Sequence, residues 1–395
     1  MINKLIPLSK ELHATVITIE ITELKKDIES KFITRSRKVK NKMENLISDS
    51  ESLGLIMKTS IDLSNLCLKM QGLYIKVGYA RNVRDSQLYH AFYSSNFPKL
   101  NVLQLEVRDR INWHQSHVWY HHANLNFQFS YKHAVQWVDC YHQNPTLRDI
   151  NASDYLRGLQ YTMVYCYHLR SKDRFNYWYK ILVEYRKHSS NQFSNNVKLL
   201  DYSYYYNATL NYMAINNRYK DLDKVIDNIN HGKQEYKNRL DIRRYHTFNY
   251  KIACLYSYVG NYNKAIDYCN DIISDNSGYL KDDISTYSRL LHILCHFRLN
   301  NFQLVDNLID SIRSEFNSSG HANTVVDMIL AFLRKASKAM NFGLDDDITK
   351  LHSRLETFRN DQYNKIAFIY YDFSQWLQSL LHNMSIEKAI KHQSK

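Results

Sequence analysis

Residues 253–273, ACLYSYVGNYNKAIDYCNDII, carry an apolar helical stretch, a Gly260-Asn261-Tyr262 break and a second amphipathic stretch opening at Ala265. After Tyr262 the apolar residues Ala265, Tyr268, Cys269 and Ile272 fall at offsets of three, six, seven and ten, which trace one face of a helix. The same offsets follow Tyr131 (Ala134, Trp137, Val138, Tyr141), Phe175 (Trp178, Ile181, Leu182, Tyr185), Tyr219 (Leu222, Val225, Ile226, Ile229) and Phe302 (Val305, Leu308, Ile309, Ile312). Any amphipathic helix can satisfy such a stripe. The spacing discriminates: the steps from 131 to 175, 219, 262 and 302 are 44, 44, 43 and 40 residues. A near-constant step marks an internal repeat.

Polar breakers precede most anchors: Ser171-Lys172-Asp173, Asn216-Asn217, Gly260-Asn261 and Asn300-Asn301. Asn and Gly tolerate the left-handed conformation that ends a helix, so each breaker closes one helix and lets the anchored one begin. Each unit is therefore expected to be two helices, and only 3 Pro and 9 Gly in 395 residues agree with long helices joined by short loops. Mean hydropathy is −0.51, and no apolar run approaches the roughly 18 residues of a spanning helix. The first 26 residues carry acids and lysines where a secretory apolar core would sit, so export is not expected. Six scattered cysteines without C-x-x-C spacing point to buried, reduced thiols and a cytoplasmic location.

Ala253, Tyr256, Gly260, Asn261, Tyr262, Ala265, Ile266 and Tyr268 resemble the core of a tetratricopeptide repeat, and the other copies are similar but degenerate. The resemblance implies an all-α chain forming a right-handed α-solenoid of antiparallel hairpins, with about 40–44 residues per repeat in place of the usual 34. The expected organisation is a charged helical segment at 1–50, helical hairpins at 51–109, the array at 110–320 and capping helices at 321–395. The whole chain also resembles large tetratricopeptide-like proteins of the Bacteroidota, in which an ending similar to Tyr370-Tyr371-Asp372-Phe373-Ser374-Gln375-Trp376-Leu377 recurs. That resemblance carries no activity.

At the ends, Ile17, Ile21, Leu24, Ile28 and Phe32 share a helical face expected to pack on the first hairpin, with a coiled coil as the alternative. A further apolar helix is expected over 57–80. Leu344, Ile348, Leu351 and Leu355 predict a helix, followed by one aromatic helix from Tyr363 to Leu381 that covers the last apolar face of the array.

In tetratricopeptide proteins the first helix of each hairpin lines a concave groove, where Asn and Lys or Arg side chains often hold the ligand. Carried onto this chain, the groove positions are Trp119, Tyr167, Arg170, Tyr204, Asn207, Asn211 and Tyr250. Asn207 and Asn211 lie one turn apart, so both amides can grip an extended peptide backbone. The implied function is a non-enzymatic scaffold for a peptide or protein segment.

The net charge of +13 and the run KFITRSRKVKNK at 31–42 raise the alternative of a nucleic-acid partner. The charge and the 32 Tyr also follow from a composition rich in Asn, Lys, Ile and Tyr, and acids just upstream let the run serve as a solvated helix face. His114, His117 and His121 stand at one-turn spacing and could hold a divalent metal. No Asp or Glu lies between 112 and 138 to act as a base, so a polar helix surface or satisfied, partly buried histidines are the favoured reading and no metal or other cofactor is expected. Phosphate-cradle, zinc-protease and nucleophile-elbow motifs are all missing, which removes the commonest enzyme signatures.

Overall fold

The computed structural model describes residues 2–12, 14–32, 41–275, 283–318, 323–340 and 343–393. Every regular element among them is helical. Arg35, Arg37, Lys38 and Lys40 of the basic run lie outside the described residues. The chain divides into two compact units, Met1–Gly158 and Leu159–Lys395, and the division falls within the span expected to be one array.

The first unit contains α1 (Ile2–Glu11), α2 (Thr15–Lys31), α3 (Lys42–Val77), α4 (Val83–Asn96), α5 (Val107–Ala123), α6 (Phe127–His142), α7 (Pro145–Ile150) and the start of α8 (Ala152–His168). The helix expected at 57–80 is the second half of α3, which runs 36 residues and passes residue 50 unbroken. Asn82 starts α4 by accepting the Asp85 N–H at 3.0 Å. Pro145 opens α7, where its missing N–H costs nothing. The expected packing of the N-terminal apolar stripe is not what forms: Ile17, Leu24, Ile28 and Phe32 are exposed. The face of α2 that is buried instead carries Thr18, Thr22 and Glu29. Thr18 and Thr22 turn their hydroxyls back onto the carbonyls of Ala14 and Thr18, so the small polar residues can approach a neighbour without leaving an unpaired group.

The second unit continues with α9 (Lys172–Ser189), α10 (Asn195–Asn216), α11 (Leu222–Glu235), α12 (Ile242–Val259), α13 (Tyr262–Ile273), α14 (Asp283–Arg298), α15 (Phe302–Ser318), α16 (Thr324–Lys338), α17 (Asp345–Phe358), α18 (Ala367–Tyr370), α19 (Phe373–Leu381) and α20 (Ile386–Gln393). Its core runs from Leu199 to Ile386 as one contiguous apolar cluster. Helix α12 packs against α10, α13 and α14.

One turn recurs before each anchored helix. Leu125, Arg170, Asn217, Gly260 and Asn300 have φ of 57°, 55°, 50°, 88° and 61°. In each case the next residue's N–H donates to the carbonyl five positions back: Asn126 to His121, Ser171 to Cys166, Arg218 to Met213, Asn261 to Tyr256 and Asn301 to His296, at 2.8–3.0 Å. This is the helix-ending motif that left-handed residues make. Two copies tolerate a Leu and an Arg in that conformation, at a cost of roughly 1–2 kcal/mol each. The breaker expected at Ser171–Asp173 is thus centred on Arg170. Beyond each turn the predicted stripe is inward: Ala134, Trp178, Leu222, Ala265 and Val305 are buried, as are the residues seven further along than each anchor.

The C-terminal aromatic stretch departs from expectation. It is not one helix over 363–381: Tyr371 is extended (φ −146°, ψ 147°), and Asp372 then starts α19 by accepting the Gln375 N–H. Tertiary partners explain the break. The Tyr370 carbonyl accepts the Tyr250 hydroxyl proton at 3.1 Å, its ring stacks on Tyr287 at 4.2 Å, and the Tyr371 hydroxyl lies 2.9 Å from Ser257 Oγ. The segment therefore crosses α12 and α14 in addition to meeting Phe332 of α16 through Trp376.

Candidate functional site

Within the second unit a cavity of about 260 Å³ opens between the last turns of α8, the middle of α10 and α12. Val164, Tyr167 and His168 come from α8, Asn207, Leu210, Asn211 and Ala214 from α10, and Thr247, Tyr250, Lys251, Cys254, Leu255 and Tyr258 from α12. Ile369 and Tyr370 of the C-terminal segment close one side. Asn207, Leu210, Asn211, Tyr250, Cys254, Leu255 and Tyr258 are buried, and the other lining residues are half-buried.

The wall is apolar apart from a few polar groups. Asn207 is 7% exposed; its Nδ2 donates to the Ser203 carbonyl at 2.9 Å, which leaves Oδ1 buried without a partner. A buried acceptor of this kind needs a donor, which a water or a group of a bound segment can supply. Asn211 is buried one turn further along. The Lys251 ammonium faces this apolar wall, and burial pushes it down to about 8. Burial likewise pushes the Cys254 thiol up to about 12, so the thiol is no nucleophile at neutral pH.

Of the expected groove residues, Tyr167, Asn207, Asn211 and Tyr250 meet in this cavity. Arg170 does not: it occupies the left-handed turn after α8, and its Nη1 lies 2.9 Å from Asp372 Oδ2. Asp372 is buried and also accepts from Arg359 Nη2 at 3.0 Å, so the two guanidiniums pin the start of α19. Tyr204 is half-buried on α10 and is not among the lining residues. Trp119 belongs to the first unit, where it packs with Tyr74 at 5.5 Å and His122 at 5.9 Å as part of an aromatic core. The register slip is physical: from α5 the equivalent surface is already covered by α3, so the side chain that would face a groove faces another helix.

Sequence reasoning missed Lys251 and the Ile369–Tyr370 wall. Lys251 was visible as the one cation in the stripe Thr247, Lys251, Cys254, Tyr258 on α12. The wall was not, because it depends on a contact between residues more than a hundred positions apart.

The histidines form a second constellation, in the first unit. His117, His121 and His133 each bring a ring nitrogen within 4.8 Å of the others, and the rings lie nearly parallel. His114 Nδ1 is 3.1 Å from His133 Nδ1. Burial pushes His117 down to about 2, His133 to about 3, and His114 and His121 to about 4, so all four are neutral at physiological pH. His133 lies on α6, whereas the other three lie on α5.

No helix among the described residues is long and apolar enough to cross a membrane. No family model, no curated protein and no solved structure matches this chain.

Proposed function

We propose that the chain is a non-enzymatic helical-repeat scaffold, a tetratricopeptide-like α-solenoid in its repeated part, that holds a peptide or protein segment by one apolar side chain inserted between α8, α10 and α12. The observation that carries this reading is the convergence of Tyr167, Asn207, Asn211 and Tyr250, from three successive first helices, on one cavity with an unpaired amide oxygen. An apolar cavity of roughly 150 Å³ can take a benzene molecule. A volume of about 260 Å³ therefore suits one aromatic or aliphatic anchor.

In this reading Asn207 Oδ1 accepts a backbone N–H of the segment, Asn211 bonds the next peptide group, and Lys251 donates to a carbonyl. The affinity expected from one anchor and a few hydrogen bonds is micromolar. Panning a random peptide library on the wild-type protein, with counter-selection on Ala214→Phe, tests it. The selected peptides should share one apolar position, and Asn207→Ala should weaken them about 3–10-fold, the worth of one hydrogen bond. A selection that does not enrich, or that enriches equally on Ala214→Phe, would overturn the reading.

A further inference from the structure

The carboxylate missing from the histidine stretch is needed for hydrolytic metal chemistry, not for a metal that only joins two helices. His117 and His121 share one side of α5, His117 buried and His121 half-buried, and His133 reaches the same point from α6, across the Leu125 turn. His117 is 6% exposed, and both of its ring nitrogens are buried without a hydrogen-bond partner. A neutral imidazole carries one N–H and one lone pair, so two orphaned groups sit in one buried ring. Tyr93, Phe97 and Trp113 pack around it with centroids at 5.6, 4.8 and 4.7 Å, and none of these rings offers a nitrogen or oxygen within bonding distance of it. That is an unexplained group aimed at two others of the same kind.

We infer that His117, His121 and His133 bind a late first-row divalent metal, zinc in the first instance, that staples α5 to α6. Three imidazoles and no carboxylate select zinc, copper or nickel over magnesium, calcium or manganese. The fourth position goes to water, since among the described residues no fourth donor joins the cluster. Ligand nitrogens around a tetrahedral zinc stand about 3.3 Å apart, given Zn–N bonds of about 2.0–2.1 Å. The rings here are wider apart and parallel, so His121 and His133, both half-buried, turn about their side-chain torsions to close on the ion.

His114 has a positioning role. If its Nδ1 accepts the His133 Nδ1–H across their 3.1 Å contact, the lone pair of His133 is fixed on Nε2, the nitrogen left to bind metal. Arg110 stands near His114 and Lys132 near His133, and both oppose a cation. Zinc affinity is accordingly expected in the micromolar range and not below.

The test uses the full chain stripped with a chelator and titrated with Co²⁺ and then Zn²⁺. One equivalent of Co²⁺ should give the visible absorption of a tetrahedral nitrogen site, and one equivalent of Zn²⁺ should remove it and raise the melting temperature. His121→Ala and His133→Ala should abolish both effects with helical circular dichroism unchanged, and His114→Phe should weaken zinc about 10–100-fold, as loss of a ligand's supporting hydrogen bond does. If a variant fails to fold, the wild-type protein labelled with ¹⁵N-histidine decides: zinc should shift three imidazoles together. No cobalt absorption at a tenfold excess, binding that survives both alanine variants, or a zinc titration that leaves the histidine resonances unmoved would each overturn the inference.

Discussion

Replacing Asp372 by Asn isolates the charge that holds the C-terminal segment across α12. The carboxylate bonds Arg170 at 2.9 Å and Arg359 at 3.0 Å and is itself buried. Removing one partner of a fully buried ion pair costs about 3–5 kcal/mol, because the other charge is left stranded. Here half of the Arg170 side chain and 27% of that of Arg359 remain in contact with water, so both can be re-solvated. The expected loss is therefore about 2 kcal/mol. Asn keeps the ability to start α19; Ala loses that as well and should cost about 1 kcal/mol more. For a unit of this size 1 kcal/mol is worth about 2–4 °C, so thermal unfolding should fall by roughly 4–8 °C in Asp372→Asn.

The pH dependence fixes the sign. Burial opposes ionisation of Asp372, yet the two guanidiniums and the Gln375 N–H outweigh it and hold the carboxyl below its ordinary value. A depressed carboxyl contributes stability above its unfolded value, about 3.9, and loses it as pH falls through the folded value. The gap between wild type and Asp372→Asn should thus be full at pH 7 and close below pH 4. Equal melting of wild type, Asp372→Asn and Asp372→Ala at pH 7, or a gap that does not change on acidification, would refute the assigned role.

Gly232→Ala should destabilise by about 1–3 kcal/mol in chemical denaturation, although Gly→Ala within a helix normally gains about 1 kcal/mol. A Cβ there overlaps the Tyr202 ring, whose hydroxyl donates to the Ile229 carbonyl at 2.6 Å. Lys251→Met should raise the melting temperature at pH 7, since it removes a charge held in an apolar wall. In the wild type, a folded value of about 8 against about 10.4 unfolded means stability climbs between those pH values, and the Met variant should not show that rise. Asn207→Ala should change stability by less than about 1 kcal/mol, because it removes one hydrogen bond and one orphaned acceptor together.

The recurring turn was legible because it is local. Tyr262 and Phe302 are the first residues of α13 and α15, and Asn217, Gly260 and Asn300 take the left-handed turns their chemistry favours. Arg170 and Leu125 take the same turn with no such signature, so tertiary packing sets them there. The N-terminal stripe misled for a related reason: periodicity marks a face, but not which face finds a partner, and α2 buries Thr18 and Thr22 instead of Ile17 and Leu24. Tyr167, Asn207, Asn211 and Tyr250 of the candidate site followed from helix register. The Tyr370 wall and the His133 ligand did not, since each joins elements whose pairing no spacing in the sequence encodes.

On the proposed function, the cavity between α8, α10 and α12 is where a partner segment is anchored. Methyl-labelled protein titrated with a selected apolar-anchor peptide tests it most directly, with Val164, Leu210 and Leu255 as reporters inside the cavity and Leu63 and Leu66 of the first unit as controls. Saturable shifts confined to the cavity methyls are expected, abolished in Ala214→Phe without loss of melting temperature. Shifts centred on the control methyls, or cavity shifts that persist unchanged in Ala214→Phe, would contradict it.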